Sequence, residues 1–208
     1  MAISSNFFAA AYPEPWQILG VKLRPFSLGH YLKLSRLGCA FVSDKEETAS
    51  LSDLLLGIVV CSMPTTVDSD KDPFWKWLAR TRGGFRYRCY TIKQRLLRKP
   101  AATPAEYDAF RWGRRMGEID FPAKVKLFSD YLDANSSAPA YIEERQATPP
   151  KASGAHWTQS VLSALVSKAG YTMEEALNVP ISRALADYLK QAESDGAIRL
   201  LPEGAGYG

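Results

Sequence analysis

Residues 50–63, SLSDLLLGIVVCSM, have almost no polar face. From Leu54 to Cys61 the run is broken only by Gly57, so whatever it forms must be covered by other elements on nearly every side. The spacing predicts a helix at the centre of the core, opened by a capping-box pattern of Ser50 and Asp53. A buried strand over the last eight residues would give the same signal. Those residues are too few to cross a bilayer, where a helix needs about 20. The N-terminal MAISSNFFAAAYPEP has no basic region and its apolar stretch stops at Pro13, which argues against a secretory signal. The expectation is a soluble, intracellular protein without membrane contact.

Around this segment the punctuation favours short helices. Pro13, Pro15 and Pro25 make the first 26 residues irregular, with Ile18 to Leu23 read as a short strand or an extended arm. Ser27 opens SLGHYLKLSRLG, in which Leu28, Tyr31, Leu32 and Ser35 share a face and Gly38 is the stop. Pro73 initiates FWKWLARTR, which Gly83-Gly84 breaks. FRYRCYTIKQRLLRK follows, ending before Pro100. Its alternating first half suits a strand and its second half a helix; helix throughout is the favoured reading. Thr103-Pro104-Ala105-Glu106 has the form of a capping box with Pro at the first helical position, opening a helix to about Met116. Asp120 with Pro122 marks another start. There Phe121, Val125, Phe128 and Leu132 fall within about 60° at 100° per residue.

Residues 135–155 read as a linker, with Pro139, the charged Glu143-Glu144-Arg145 and Thr148-Pro149-Pro150. A long surface loop inside one domain is the alternative. Beyond it, Val161, Leu162, Ala164, Leu165 and Val166 form the apolar face of a helix that Gly170 stops. Thr172 and Glu175 have capping-box spacing, and Pro180 precedes a helix with Ile181, Ala184, Leu185, Tyr188, Leu189 and Ala192 on one side. Asp195-Gly196 ends it, leaving LLPEGAGYG as a tail or arm. No repeat at a fixed period and no heptads are evident. The predicted fold class is all-α. A helical bundle body with an irregular N-terminal arm (1–134) and a Pro-rich linker (135–155) precede a C-terminal helix–turn–helix unit and tail (156–208).

The chain has 208 residues, 46% of them hydrophobic, enough for one good-sized core or two small ones and too many for a disordered chain. Its 26 Lys plus Arg against 22 Asp plus Glu hide an asymmetry. Residues 80–115 hold eleven bases and two acids, a balance of +9; the remainder balances at −5, and the two sum to +4. The basic set includes Arg86, Arg88, Arg95, Arg98, Arg111, Arg114 and Arg115, interleaved with Phe85, Tyr87, Tyr90, Phe110 and Trp112. Three readings are open: a solvated face whose aromatics point into the core, a surface docking an acidic protein, and a phosphate-contacting face whose aromatics stack on bases. No recognised nucleic-acid motif supports the third.

Chemistry is sparsely signalled. There is no P-loop, no GxGxxG after a strand, no GxSxG and no HExxH. Cys39, Cys61 and Cys89 lack CxxC spacing and read as reduced, mostly buried thiols; a reactive Cys89 beside Arg86, Arg88 and Arg95 is the alternative. His30 and His156 carry no signal of an orienting partner. Asp68, Asp70 and Asp72 lack the Gly and terminal Glu of a calcium loop and read as a solvated acidic turn, and Glu143-Glu144 as a solvated pair. No catalytic residue, cofactor or metal is expected.

The C-terminal pattern, Trp157 … Gly170-Tyr171-Thr172-x-Glu174-Glu175-Ala176-Leu177-x-x-Pro180-Ile181 … Ala184 … Tyr188, resembles one in the tail assembly chaperones of long-tailed bacteriophages. Leu23-Arg24-Pro25-Phe26-Ser27-Leu28 … Tyr31 is similar to the opening of phage tail-region proteins, and together the two cover about a third of the chain. The resemblance implies a non-enzymatic protein that coats the tape measure protein in the host cytoplasm, helps recruit tail tube subunits, and leaves before the tail matures. Amphipathic helices would cover apolar stripes that otherwise aggregate. It makes Trp157, Tyr171, Leu177 and Tyr188 candidate partner contacts, with the basic segment meeting acidic partner surfaces. The alternatives are a neck or tail component that stays in the virion and threads its proline-rich arms into neighbours, and a nucleic-acid-binding accessory protein using the basic segment. Self-association is also open.

Overall fold

The computed structural model describes residues 16–43, 49–100, 103–105, 107, 108, 111, 120–143 and 156–201, without the side chains of Phe85 and Glu143. Among the described residues there are eight helices, a 3₁₀ turn and two small two-stranded sheets, so the protein is largely all-α. The helices are α1 (Leu28–Arg36), α2 (Leu51–Ser62), α3 (Pro73–Gly83), α4 (Phe85–Leu96), α5 (Phe121–Ser136), α6 (Trp157–Ser167), α7 (Met173–Asn178) and α8 (Ile181–Ser194). The strands are β1 (Gln17–Ile18), β2 (Val21–Lys22), β3 (Tyr141–Glu143) and β4 (Ile198–Leu200). They form two compact units: residues 16–24 with 29–131, and residues 25–28 with 132–201.

In the first unit α2 is the central helix. Ser50 and Asp53 close the capping box reciprocally, and Leu54, Leu55, Gly57, Ile58, Val60 and Cys61 are buried. Gly57 is fixed by close approach: a Cβ there would lie 2.5 Å from Cζ of Phe128, whose ring covers the helix. Phe128 also meets Phe41 edge-on at 4.8 Å between centroids. The arm read at residues 18–23 is a hairpin instead. Ile18 pairs Val21 and Gln17 pairs Lys22 across Leu19-Gly20, both at positive φ, as in the two-residue turn whose twist suits a hairpin. It is tied to α2 by the Arg24 N–H donating to the Cys61 carbonyl, and to α5 by the Tyr131 hydroxyl donating to the Arg24 carbonyl.

α1 departs from its predicted face. Leu28 of that face is buried, but Tyr31 and Leu32 are half-buried and Ser35 is exposed, while His30, Lys33 and Leu34 are buried. The reason is an ion pair: Lys33 Nζ lies 2.6 Å from Asp72 Oδ2, with both side chains almost fully buried. Hydrophobic periodicity places a lysine outside; a buried carboxylate pulls it in and rotates the helix face with it. Asp72 is therefore not part of a solvated acidic turn, although Asp68 and Asp70 are exposed. It caps α3 by accepting from the Phe74 N–H at 2.9 Å, with Pro73 in the first turn, and its other oxygen accepts from the Thr66 N–H at 3.1 Å.

The second unit is built on α6, α7 and α8. Val161, Leu165, Ala176, Val179, Ile181, Ala184 and Leu189 form its core. Gly170 at φ +76° turns the chain after α6, and Thr172 and Glu175 complete a capping box for α7. Residues 25–28 belong here: Phe26 N–H donates to Asn135 Oδ1, Ile181 N–H donates to the Phe26 carbonyl, and Ser27 bridges Pro180. The segment read as a linker carries, in its described part, the end of α5 and strand β3, which pairs antiparallel with β4; Leu200 of the expected tail lies in β4. Residues 144–155 and 202–208 lie outside the described residues, as does most of the helix expected at 103–116.

Candidate partner-binding surface

α4 begins after Gly84, which offers no side-chain cap, has no acid in its first turn, and carries Lys93 and Arg95 in its last. The cations at its end suit the helix dipole; the start is left uncompensated. A 12-residue helix of this kind depends on packing rather than intrinsic propensity. Among the described residues that packing is one-sided. Tyr87 and Tyr90 meet the ring of Tyr107 at 5.6 and 5.4 Å, and together with Thr91 and Gln94 are half-buried. At 100° per residue these four span about 100° of the wheel.

Directly opposite, Cys89, Ile92 and Leu96 fall within about 60°. All three are exposed, Ile92 at 56% and Leu96 at 79%. Arg88 and Arg95 flank this aliphatic row on one side, Arg86 and Lys93 on the other, and all four are exposed. From residue 84 to 99 there are six cations and no acid. Isolated exposed leucines are ordinary, but an aliphatic row between two cationic rows is patterned.

The predicted basic surface therefore divides. Arg86, Arg88, Arg95 and Arg98 are exposed along α4 and just beyond it. Arg111 is half-buried, 3.7 Å from Asp108 and 5.8 Å over the Tyr107 ring. Burial pushes the Asp108 carboxyl upward, and Arg111 opposes that. Arg114 and Arg115 lie outside the described residues. The tyrosines interleaved with arginine in the sequence, which a base-stacking surface would need, face inward. Sequence reading missed the aliphatic row because it spans less than two heptads in a stretch dominated by aromatic and basic residues.

Of the candidates in the second unit, Trp157 is exposed and stacks beside His156 at 5.8 Å. Tyr171, Leu177 and Tyr188 are half-buried. The Tyr171 hydroxyl donates to Asp187 Oδ2 at 2.7 Å in an open groove of about 370 Å³, lined also by Arg183, Lys190 and Gln191. Burial, then the Asp187 carboxylate, holds that phenol above its usual range.

The remaining chemistry-bearing groups serve the fold. His30 Nε2 contacts the Met63 carbonyl at 2.8 Å, and His156 Nδ1 caps α6 by accepting from the Thr158 N–H. Burial pushes the Cys39 thiol up to about 11 and Cys61 up to about 12. Cys61 hydrogen-bonds Tyr131, whose phenol burial also raises. Cys39, Cys61 and Tyr131 are therefore neutral at physiological pH, the opposite of an activated nucleophile. Cys89 is the exposed thiol. Among the described residues no group of three or more His, Cys, Asp or Glu could hold a metal ion, and no helix is long and apolar enough to cross a membrane. No family model, curated protein or solved structure matches the chain.

Proposed function

We propose that this is a non-enzymatic binding protein, a tail assembly chaperone of a long-tailed bacteriophage that holds the tape measure protein soluble in the host cytoplasm and assists tail tube assembly. The observation that carries the reading is the outward face of α4, an aliphatic row framed by cations on a helix otherwise packed by its tyrosines. Such a face covers an apolar stripe on another helix. In the first unit Cys39 and Cys61 are buried and held neutral and Lys33 and Asp72 are paired within the fold, which suits scaffolding rather than catalysis. The C-terminal resemblance supplies the assembly context.

The test is quantitative mass spectrometry of infected-cell lysate and of purified virions. A chaperone is abundant in lysate, co-purifies there with a long helical protein, and is absent from mature particles. Stoichiometric copies in mature particles would replace this reading with that of a structural neck or tail component.

A further inference from the structure

The spacing on the outward face of α4 is that of a pairing seam. Cys89, Ile92 and Leu96 stand three and then four residues apart, the a, d, a positions of a heptad. Arg88 and Arg95 then occupy g positions and Lys93 an e position; Arg86 takes the preceding e. In paired helices the e and g side chains reach across the seam to the partner and choose it by charge. Here every one of them is cationic and exposed. We propose that this face binds an acidic amphipathic helix, with an apolar row against Cys89, Ile92 and Leu96 and carboxylates at the positions facing Arg86, Arg88, Lys93 and Arg95. This names the partner's chemistry for the binding face described above and rests on that reading only in taking the face as functional.

Charge selects among the occupants. A second copy of α4 would set cation against cation along both flanks, with no acid between residues 84 and 99 to relieve it. A nucleic acid would gain from the cations but would leave an aliphatic row against phosphates, and the tyrosines that could stack on bases are committed to Tyr107. An anionic lipid surface would meet three apolar side chains over about 10 Å of helix, little area for interfacial binding, which scales with buried apolar surface. An acidic helix uses both the row and its flanks. The α4 helix, about 18 Å long, offers it a little over three turns.

The experiment uses the full chain and fluorescein-labelled probes. The first is a synthetic 21-residue helix with Leu at a and d and Glu at e and g. The others are the same helix with Lys at e and g, a 20-base-pair DNA duplex, and phosphatidylserine–phosphatidylcholine vesicles. The Glu peptide is expected to bind at least tenfold more tightly than the Lys peptide, and to weaken as salt rises. Arg88→Glu with Arg95→Glu, and separately Ile92→Ser with Leu96→Ser, should each weaken it at least tenfold. The packed tyrosine face is untouched in both, and Arg88→Gln with Arg95→Gln gives a milder pair with the same sign. Equal binding of the two peptides overturns the proposal without needing any variant. So does tighter binding of DNA or vesicles, or a dimer of the chain that Ile92→Ser with Leu96→Ser dissolves. Charge-blind peptide binding would leave the chaperone reading standing, and retention in virions would overturn that reading while leaving this face assigned.

Discussion

Asp72→Ala should be among the most damaging single substitutions in the protein. Its Oδ1 accepts from the Phe74 N–H at 2.9 Å, while Oδ2 accepts from the Thr66 N–H at 3.1 Å and meets Lys33 Nζ at 2.6 Å. Lys33 has no aligned hydrogen bond beyond this ion pair, and its side chain is 7% exposed. Removing the carboxylate strands a buried ammonium, at about 3–5 kcal/mol for a broken buried pair, and deletes a helix cap worth about 1 kcal/mol. The total of about 4–6 kcal/mol approaches the whole stability of many domains. Lys33→Met keeps the stem volume and leaves the carboxylate its two N–H donors, so the cost is about 3 kcal/mol. Combining Lys33→Met with Asp72→Asn removes both charges and keeps a cap acceptor. The double variant should be at least about 2 kcal/mol more stable than the sum of the singles implies. Urea unfolding followed by the fluorescence of Trp75 and Trp77, whose rings meet that of Phe74, measures all of these. The costs should barely change at high salt, since buried pairs are poorly screened. Singles costing under about 1 kcal/mol, or an additive double, would refute the reasoning.

Other consequences are as direct. Gly57→Ala places a methyl group 2.5 Å from Phe128 Cζ and should cost about 1–3 kcal/mol; pairing it with Phe128→Leu should recover part of that loss in the same unfolding assay. A thiol reagent should label one cysteine, Cys89, rapidly in the native protein and three in denaturant. Because Cys39 and Cys61 are held neutral to about 11 and about 12 while an unfolded chain ionises them from near 9, stability should fall as pH rises through that window. The slope is up to about 1.4 kcal/mol per pH unit per thiol. Flat stability between pH 9 and 11 would contradict the burial of both. Thr172→Ala should cost about 1 kcal/mol at neutral pH. The Glu175 carboxylate is lowered by its bond from Thr172, so the capping contribution is present above the usual carboxylate range and fades as pH falls through the lowered value. Thermal unfolding at pH 7 and about pH 3 should show the Thr172→Ala penalty shrinking in acid.

What could be read in advance was local. Ser50, Pro73, Asp120, Thr172 and Pro180 each mark a helix start by their own side chain or ring, and Gly38, Gly83-Gly84 and Gly170 mark stops, because capping and φ preferences act within four residues. What could not be read depends on partners distant in sequence. Lys33 is buried because Asp72, 39 positions on, waits for it. Strands β3 and β4 are three residues each and pair across 57 positions, with too little alternation to stand out. In the sequence Gly57 reads only as an interruption, because the ring that requires it belongs to Phe128, far along the chain. At the candidate surface the basic character was legible. Which side of α4 the tyrosines take was not, because Tyr107 decides it and belongs to another segment.

The bond from Ile181 N–H to the Phe26 carbonyl joins positions 155 apart in the chain (181 minus 26). At ribosomal rates of about 5–20 residues per second, residue 26 waits about 8–30 s before its backbone acceptor is claimed. Within that interval the Phe26 N–H can already meet Asn135, made earlier, while its carbonyl still lacks the Ile181 N–H. A message truncated anywhere before the codon for Ile181 releases a polypeptide whose second unit can never close.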